Sequence, residues 1–296
     1  LTKSERHHYI PEFIIRGFTN SDGKVAVFNK EKMAMEPLMK SPKQIFFEWN
    51  RNTFRAKNEL TDFVEKLYGN CENKFAPVYK RFTQNIDDRE FNLTDLFHVI
   101  HYIGILHASL PVRDSEIEEL IKNSKKEDFF LNIINTETGE VSVNADDSFE
   151  KFKSEPAFIQ SVKIMKAIAD FMKNETYLTT DNWKSYSSSG NGSFHLISDN
   201  PVILRDKDVK SIYDSELIFQ LSKSTSIVHT KGKSIKAISG EDKVMTDMLI
   251  FLQSDKYVAG PDFNYLETIA NLCIKKKYDK PEAVDYLKKK LFQLFD

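Results

Sequence analysis

The sequence predicts an α+β fold: a mixed β-sheet with a large helical section and C-terminal helices. Three observations predict it. The chain carries 23 Phe against 10 Gly in 296 residues, a balance that favours helices with aromatic cores over a glycine-turned barrel. From Glu59 to about Thr83, apolar side chains recur at steps of three and four, the spacing of one helix face. Between 193 and 260, short apolar runs alternate with turn residues, as strands do. The length suits one large domain over residues 1–296. Within it, a mainly helical section spans 59–173, and a β-rich section spans 193–260, closed by helices over 263–295.

Taken in order, Pro11 suits the first turn of a short helix, where its missing N–H costs nothing. Phe13, Ile14 and Phe18 then face inward. Asn20–Gly23 is a turn, because Asp-Gly readily supplies positive φ. Lys24–Asn29 alternates as a strand, and Gln44–Phe47 is expected as a second. The long helix follows, through Val64, Tyr68, Cys71 and Phe75, with Gly69 a weak point inside it. Thr94 is expected to cap the next helix, which ends near Leu110 and Pro111. Ser115–Asn135 and Phe149–Lys173 read as helices, with a turn and a short strand or loop over Thr136–Val143 between them. Thr179–Gly192, with its serines and glycines, is expected to be a flexible joint. Strands are expected over Phe194–Ile197, Val202–Leu204, Leu217–Leu221 and Thr225–His229. A helix over Glu241–Leu252, a strand over Lys256–Ala259, and helices over Phe263–Lys276 and Pro281–Phe295 complete the chain.

Charge and composition exclude some classes. With 42 basic and 44 acidic side chains, the net charge of −2 leaves no global field to attract nucleic acid, so such a partner requires a local patch. Cys71 and Cys273 stand far apart with no Cys-x-x-Cys spacing, which reads as reduced core thiols rather than a zinc framework. No run is long enough to span a membrane, and the first residues lack the apolar core of a secretory signal. A cytoplasmic protein with no membrane partner is the expectation.

Two polar stretches stand out. One is His7-His8-Tyr9-Ile10-Pro11, followed by Glu12 and Phe13. The other is Ser198-Asp199-Asn200-Pro201, a polar elbow after an apolar strand. Together they resemble the two hallmarks of the domain of unknown function 4238 family of bacteria and phages. Glu72 and the run Leu106–Arg113 lie where that family has a Glu-bearing helix and a helix ending in a Pro-x-Arg-like element. Glu12 stands where a Gln is common. The resemblance implies an α+β bacterial protein of the cytosol, and its phage members associate it with defence or toxin biology.

Each candidate residue has a functional and a structural reading. His8 and His7 suit a general base or a metal ligand, and equally a cap on the first helix. Asp199 ends a strand, where open sheets hold ligands and metals, yet Asp-Asn-Pro is also strong turn chemistry. Asn200, forced extended by Pro201, is placed to aim its amide into a cleft. Glu72 lies beside the apolar stripe of the long helix, either as a third polar group of the site or as a surface charge. His98 and His101 share a helix face with His107 beyond, a spacing that can hold a metal or simply edge a core. Lys275–Lys277 and Lys288–Lys290, near Tyr278 and Tyr286, form either a phosphate-contacting surface or solvated helix faces.

Two functions follow. The first is a metal-dependent hydrolase, a nuclease or phosphodiesterase. In it His8, Asp199 and Glu72 are catalytic, Asp199 and His8 hold a divalent metal ion, and His7, Asn200 and Glu12 bind. Its partner is nucleic acid. The second is a non-enzymatic binding module in which both motifs are structural. Both depend on the opening stretch meeting the elbow.

Overall fold

The computed structural model describes residues 6–52, 54–56, 59–61, 63–84, 90–129, 138–140, 145–154, 156–172, 179–187, 195–206, 209, 211–236, 238–275 and 280–295. The chain opens with β1 (Arg6–His8), α1 (Glu12–Arg16), β2 (Ala26–Asn29), β3 (Ala34–Met35), β4 (Phe47–Trp49), β5 (Phe54–Ala56) and β6 (Glu59–Thr61). Helices α2 (Phe63–Gln84), α3 (Leu93–Ser109), α4 (Asp114–Asn123), α5 (Ala145–Phe152) and α6 (Pro156–Met172) follow. Strands β7 (Trp183–Ser187), β8 (Ile197–Ser198), β9 (Val202–Leu204), β10 (Leu217–Ser222) and β11 (Thr225–His229) come next. The chain closes with α7 (Gly240–Gln253), β12 (Tyr257–Gly260), α8 (Phe263–Lys275) and α9 (Pro281–Leu291).

The α+β class holds. Its sheet part is two four-stranded sheets, ordered β7-β11-β10-β9 and β3-β2-β12-β8, with small ladders β1-β4 and β5-β6. Where a mixed sheet was expected, every pairing among the described residues is antiparallel. Both faces of the large sheets are buried. Val27, Ile197, Val202, Leu217, Phe219 and Ile227 join one core with α1, α2 and α3. Their neighbours Ala26, Phe28, Leu196, Ile203, Ile218 and Val228 join a second core with α7, α8 and α9. Successive residues of a strand point to opposite faces, so the strands lie between two helical layers. This is why they read as apolar runs rather than clean alternation.

Several expectations shift, each for a local reason. The long helix starts at Phe63, because residues 59–61 pair with 54–56. The cap of α3 is Asn92, whose side chain accepts the N–H of Asp95 at 2.8 Å, rather than Thr94, which sits inside the helix. Pro156 divides the helix expected over Phe149–Lys173 into α5 and α6. The run Gln44–Phe47 is not one strand: Gln44 ends a 3-10 turn and Phe46 takes φ 58°, so pairing begins at Phe47. The expected joint contains a strand, since Trp183–Ser187 pairs along β11 with the Trp183 ring stacked on His229 at 4.7 Å. Residues 130–137, 141–144, 188–194 and 276–279, where parts of other expected elements fall, lie outside the described residues. Among the described residues no helix is long and apolar enough to cross a membrane.

Tyr213 crosses from the β9–β10 connection to α3, where its hydroxyl donates to the Ile100 carbonyl at 2.5 Å. Only glycine permits that approach, because a Cβ at Gly104 would lie 2.4 Å from the Tyr213 oxygen. Gly104→Ala is expected to lower unfolding free energy by about 1–3 kcal/mol, the cost of overpacking a core. Tyr213→Phe in the same chain removes the clashing oxygen and recovers part of that loss in urea unfolding curves.

Candidate functional site

The Ser198–Pro201 elbow is where the chain leaves one sheet for the other: β8 pairs with β12, and β9 with β10. Asp199 is only 4% exposed. Its carboxylate accepts the N–H groups of Asp255 at 2.9 Å, Lys256 at 2.5 Å and Tyr257 at 2.9 Å. Burial pushes its pKa up, and the three N–H donors oppose that rise. Asn200 donates to the Gln253 carbonyl at 3.1 Å, and Gln253 returns donors to the carbonyls of Asn200 and Val202 at 2.5 and 3.1 Å. Lys30, just past β2, donates to the carbonyls of Ser254, Phe251 and Leu252 at 2.6, 3.1 and 3.4 Å. Elbow and lysine thus serve the C-terminal carbonyls of α7 and the N–H groups of the turn into β12, groups a helix end cannot satisfy itself.

The opening stretch divides its residues between tasks. His7 is 1% exposed, and its Nδ1 accepts the Asn52 N–H at 2.8 Å, tying β1 to the turn after β4. Tyr9 lines a small crevice with Asp199, Asp255 and Lys256, so the two motifs do approach one another. Glu12 lies on the surface, paired with Arg16 at 3.1 Å one helical turn on. Pro11 precedes α1, and its carbonyl accepts the N–H groups of Ile14 and Ile15.

His8 faces elsewhere, into a cleft of about 20 Å³ that it lines with Glu72, Asn52, Tyr68, Tyr102 and Arg51. Among the described residues, four buried polar atoms of that lining have no hydrogen-bond partner: His8 Nε2, Asn52 Oδ1, Tyr68 Oη and Tyr102 Oη. Each such group costs about 1–3 kcal/mol when left unmade, so their convergence marks a place built for something polar. The volume matches about one water. Burial pushes the Glu72 carboxyl up to about 8, helped by the Glu65 carboxylate. Burial also lowers the His8 pKa; Glu12, the Pro42 carbonyl and Glu65 oppose that shift, while Arg6 adds to it. Arg51 is held by Asp114 through two bonds of 2.9 and 2.7 Å and by Glu48 at 2.6 Å, so its charge is spent.

The structure therefore brings His8 and Glu72 into one cleft and places Asp199 and Asn200 in the elbow. His101 lies with its Nδ1 3.7 Å from the Cys71 thiol. Among the described residues no three His, Cys, Asp or Glu side chains converge as metal ligands. Lys288 is buried and Lys290 pairs with Glu241. The sequence pattern marks Tyr68 only as an apolar position, although it precedes Glu72 by four residues and so shares its helix face, and the pattern does not single out Tyr102.

A buried chain of Ser226, His195 and Asp247 was also missed. Ser226 Oγ lies 3.1 Å from His195 Nε2, and His195 Nδ1 lies 3.7 Å from Asp247 Oδ1. The order is that of a nucleophilic triad. However, the hydroxyl donates to Gln220 at 2.6 Å, and the three residues are 4%, 6% and 0% exposed. Asp247 also accepts the Tyr265 O–H at 2.5 Å and the Leu196 N–H at 3.0 Å. The set fastens α7 to β8 and α8.

A family model described as a protein of unknown function, DUF4238, matches residues 6–263. The chain belongs to this family. No curated protein and no solved structure matches it. In this DUF4238 chain, the matched span takes in the cleft, the elbow and both large sheets.

Two outcomes are expected. Asp199→Ala leaves three part-buried backbone donors without their carboxylate and lowers stability by about 1–3 kcal/mol, with Asp199→Asn falling between it and the parent chain in urea melts. Glu72 has a folded-state pKa raised above its unfolded value, so it binds more protons folded, and stability falls as pH rises toward about 8. Glu72→Gln removes that slope: the variant is the more stable chain at pH 8, and the gap closes near pH 5.

Proposed function

We propose that this chain is a hydrolase acting by acid–base catalysis on a water held in the His8–Glu72 cleft. One observation carries the reading. At neutral pH His8 is a base without its second proton, Glu72 is an acid with its proton, and both line a cleft of one water's volume. Paired groups whose environments push their pKa values apart are the mark of assigned acid and base roles. His8 Nε2 takes a proton from the water as its oxygen attacks the electrophilic centre. Glu72 gives its proton to the leaving group. In this reading the hydroxyls of Tyr68 and Tyr102, whose residues line the same cleft, donate to the oxyanion that forms.

The surroundings favour a neutral ester or amide. The carboxylates of Glu12 and Glu65 act on His8, and Arg51 is already neutralised by Glu48 and Asp114, so little here attracts a phosphodiester. A metal-dependent nuclease finds less support, since Asp199 spends its oxygens on three N–H groups. The elbow supports the second reading, a non-enzymatic binding module in which that motif is a folding device.

The test pairs p-nitrophenyl butyrate with bis-p-nitrophenyl phosphate, each with and without Mn²⁺, on the parent chain, His8→Gln and Glu72→Gln, with folding checked for all three. Ester hydrolysis by the parent chain is expected, with a loss of about 10²–10³-fold in each variant. Its rate rises with pH as His8 loses its proton and falls above about 8 as Glu72 loses its own. Folded variants that match the parent chain on every substrate would leave the binding module standing, and phosphodiester cleavage only with Mn²⁺ would restore the metal reading.

A further inference from the structure

A cavity of about 370 Å³ lies on the other side of α3 from the His8 cleft, lined by α3, α4, α6 and by Leu204, Val209, Ile212 and Tyr213. That is the size of sites that take small organic molecules. Its walls are mixed. Ala108, Ile117, Ala167 and Ile212 supply apolar surface, and the small side chains on α3 and α6 are what leave the space open. Its polar groups are His107, Arg113 and Lys166, with the carboxylates of Glu116 and Asp170.

Three observations give these groups their chemistry. Arg113 donates to His107 Nε2 at 2.8 Å, which fixes this nitrogen as an acceptor and the imidazole as neutral. The guanidinium is not used up by that bond: among the described residues its buried Nε–H has no partner, and its carboxylate contact is Glu116 at 3.4 Å, itself 56% exposed. The field is positive where His107 sits. Besides burial, both Arg113 and Lys166 hold its pKa well below the usual range, and no carboxylate acts on it in the other direction. Lys166 is paired with Asp170 at 2.7 Å, which leaves Arg113, with its buried Nε–H, as the cation of the cavity with bonding capacity to spare.

We propose that this cavity binds a small organic anion with an apolar body, its charged group on Arg113 with Lys166 nearby and its body against Ala108, Ile117 and Ala167. The site does not rest on the hydrolase reading, because it shares no lining residue with the His8 cleft.

The test uses three probes with one apolar body and different charges: 1-naphthoate, 1-naphthalenemethanol and 1-naphthylmethylammonium. Each is titrated calorimetrically into the full chain. The naphthoate is expected to bind one per chain, at least tenfold tighter than the alcohol, with no binding of the cation. Arg113→Gln should weaken the naphthoate at least tenfold and leave the alcohol unchanged. Ala108→Leu, which fills the space, should weaken both. Lys166→Gln offers a second charge variant should Arg113→Gln fail to fold. The proposal fails if the three probes bind alike, if the folded charge variants bind naphthoate as the parent chain does, or if naphthoate does not bind at millimolar concentration. His8→Gln leaves naphthoate binding unchanged, which separates this outcome from the fate of the hydrolase.

Discussion

The turn from α7 into β12 is the constraint on which the architecture depends. The carbonyls of residues 251 to 254 end a helix, and the N–H groups of 255 to 257 begin a strand between two others. Phe251 and Ser254 are buried, and Leu252, Gln253, Lys256 and Tyr257 are half-buried, so most of these groups have little access to water. Backbone groups buried in this way must be paired. Asp199, Asn200 and Lys30 pair them from two other parts of the chain. Strand β12 then sits between β2 and β8, and the elbow sends the chain on to β9 in the neighbouring sheet. One carboxylate thereby fixes where both sheets stand relative to α7.

The His8 cleft obeys the opposite logic. Where the α7–β12 turn leaves few bonds unmade, the cleft gathers four orphaned polar atoms and a carboxyl that keeps its proton to about pH 8. A fold selected for stability alone has no reason to retain such a set, and local violations of this kind concentrate at sites that act on something. The rigid support is nearby. Arg51 locks onto Asp114, Lys163 reaches the same carboxylate from α6, and the Ser109 carbonyl takes a further Arg51 donor at 3.1 Å. That network joins the turn after β4 to α3, α4 and α6 beside the cleft.

How much of this could be read from the residues alone depends on the range of the forces involved. Helix α2 was legible because Val64, Tyr68, Cys71 and Phe75 repeat locally. Strand β7 was not, because the serines around Trp183 and Tyr186 read as a joint, and those two rings, three residues apart, give no two-residue alternation. Asn92 and Thr94 both make good caps, and only the geometry at Asp95 decides between them. The same holds for the site. Asp199 supports turn and ligand chemistry equally until its partners at 255 to 257 are known. His8 and Glu72 were legible as residue types. Their meeting, and the roles of Tyr102 and Asn52 beside them, arise from tertiary contacts that no local pattern encodes.

The sheet β3-β2-β12-β8 also sets a timetable for synthesis. Lys30 finds its first acceptor 221 residues later in the chain, and β2 finds its second neighbour only when β12 emerges. At ribosomal speeds of roughly 5–20 residues per second, that wait is on the order of tens of seconds. Throughout it the nascent β2–β3 hairpin carries an open, apolar edge of Ala26, Val27 and Phe28, a surface that invites strand pairing with neighbouring chains. Any pause in translation before residue 257 prolongs that exposure.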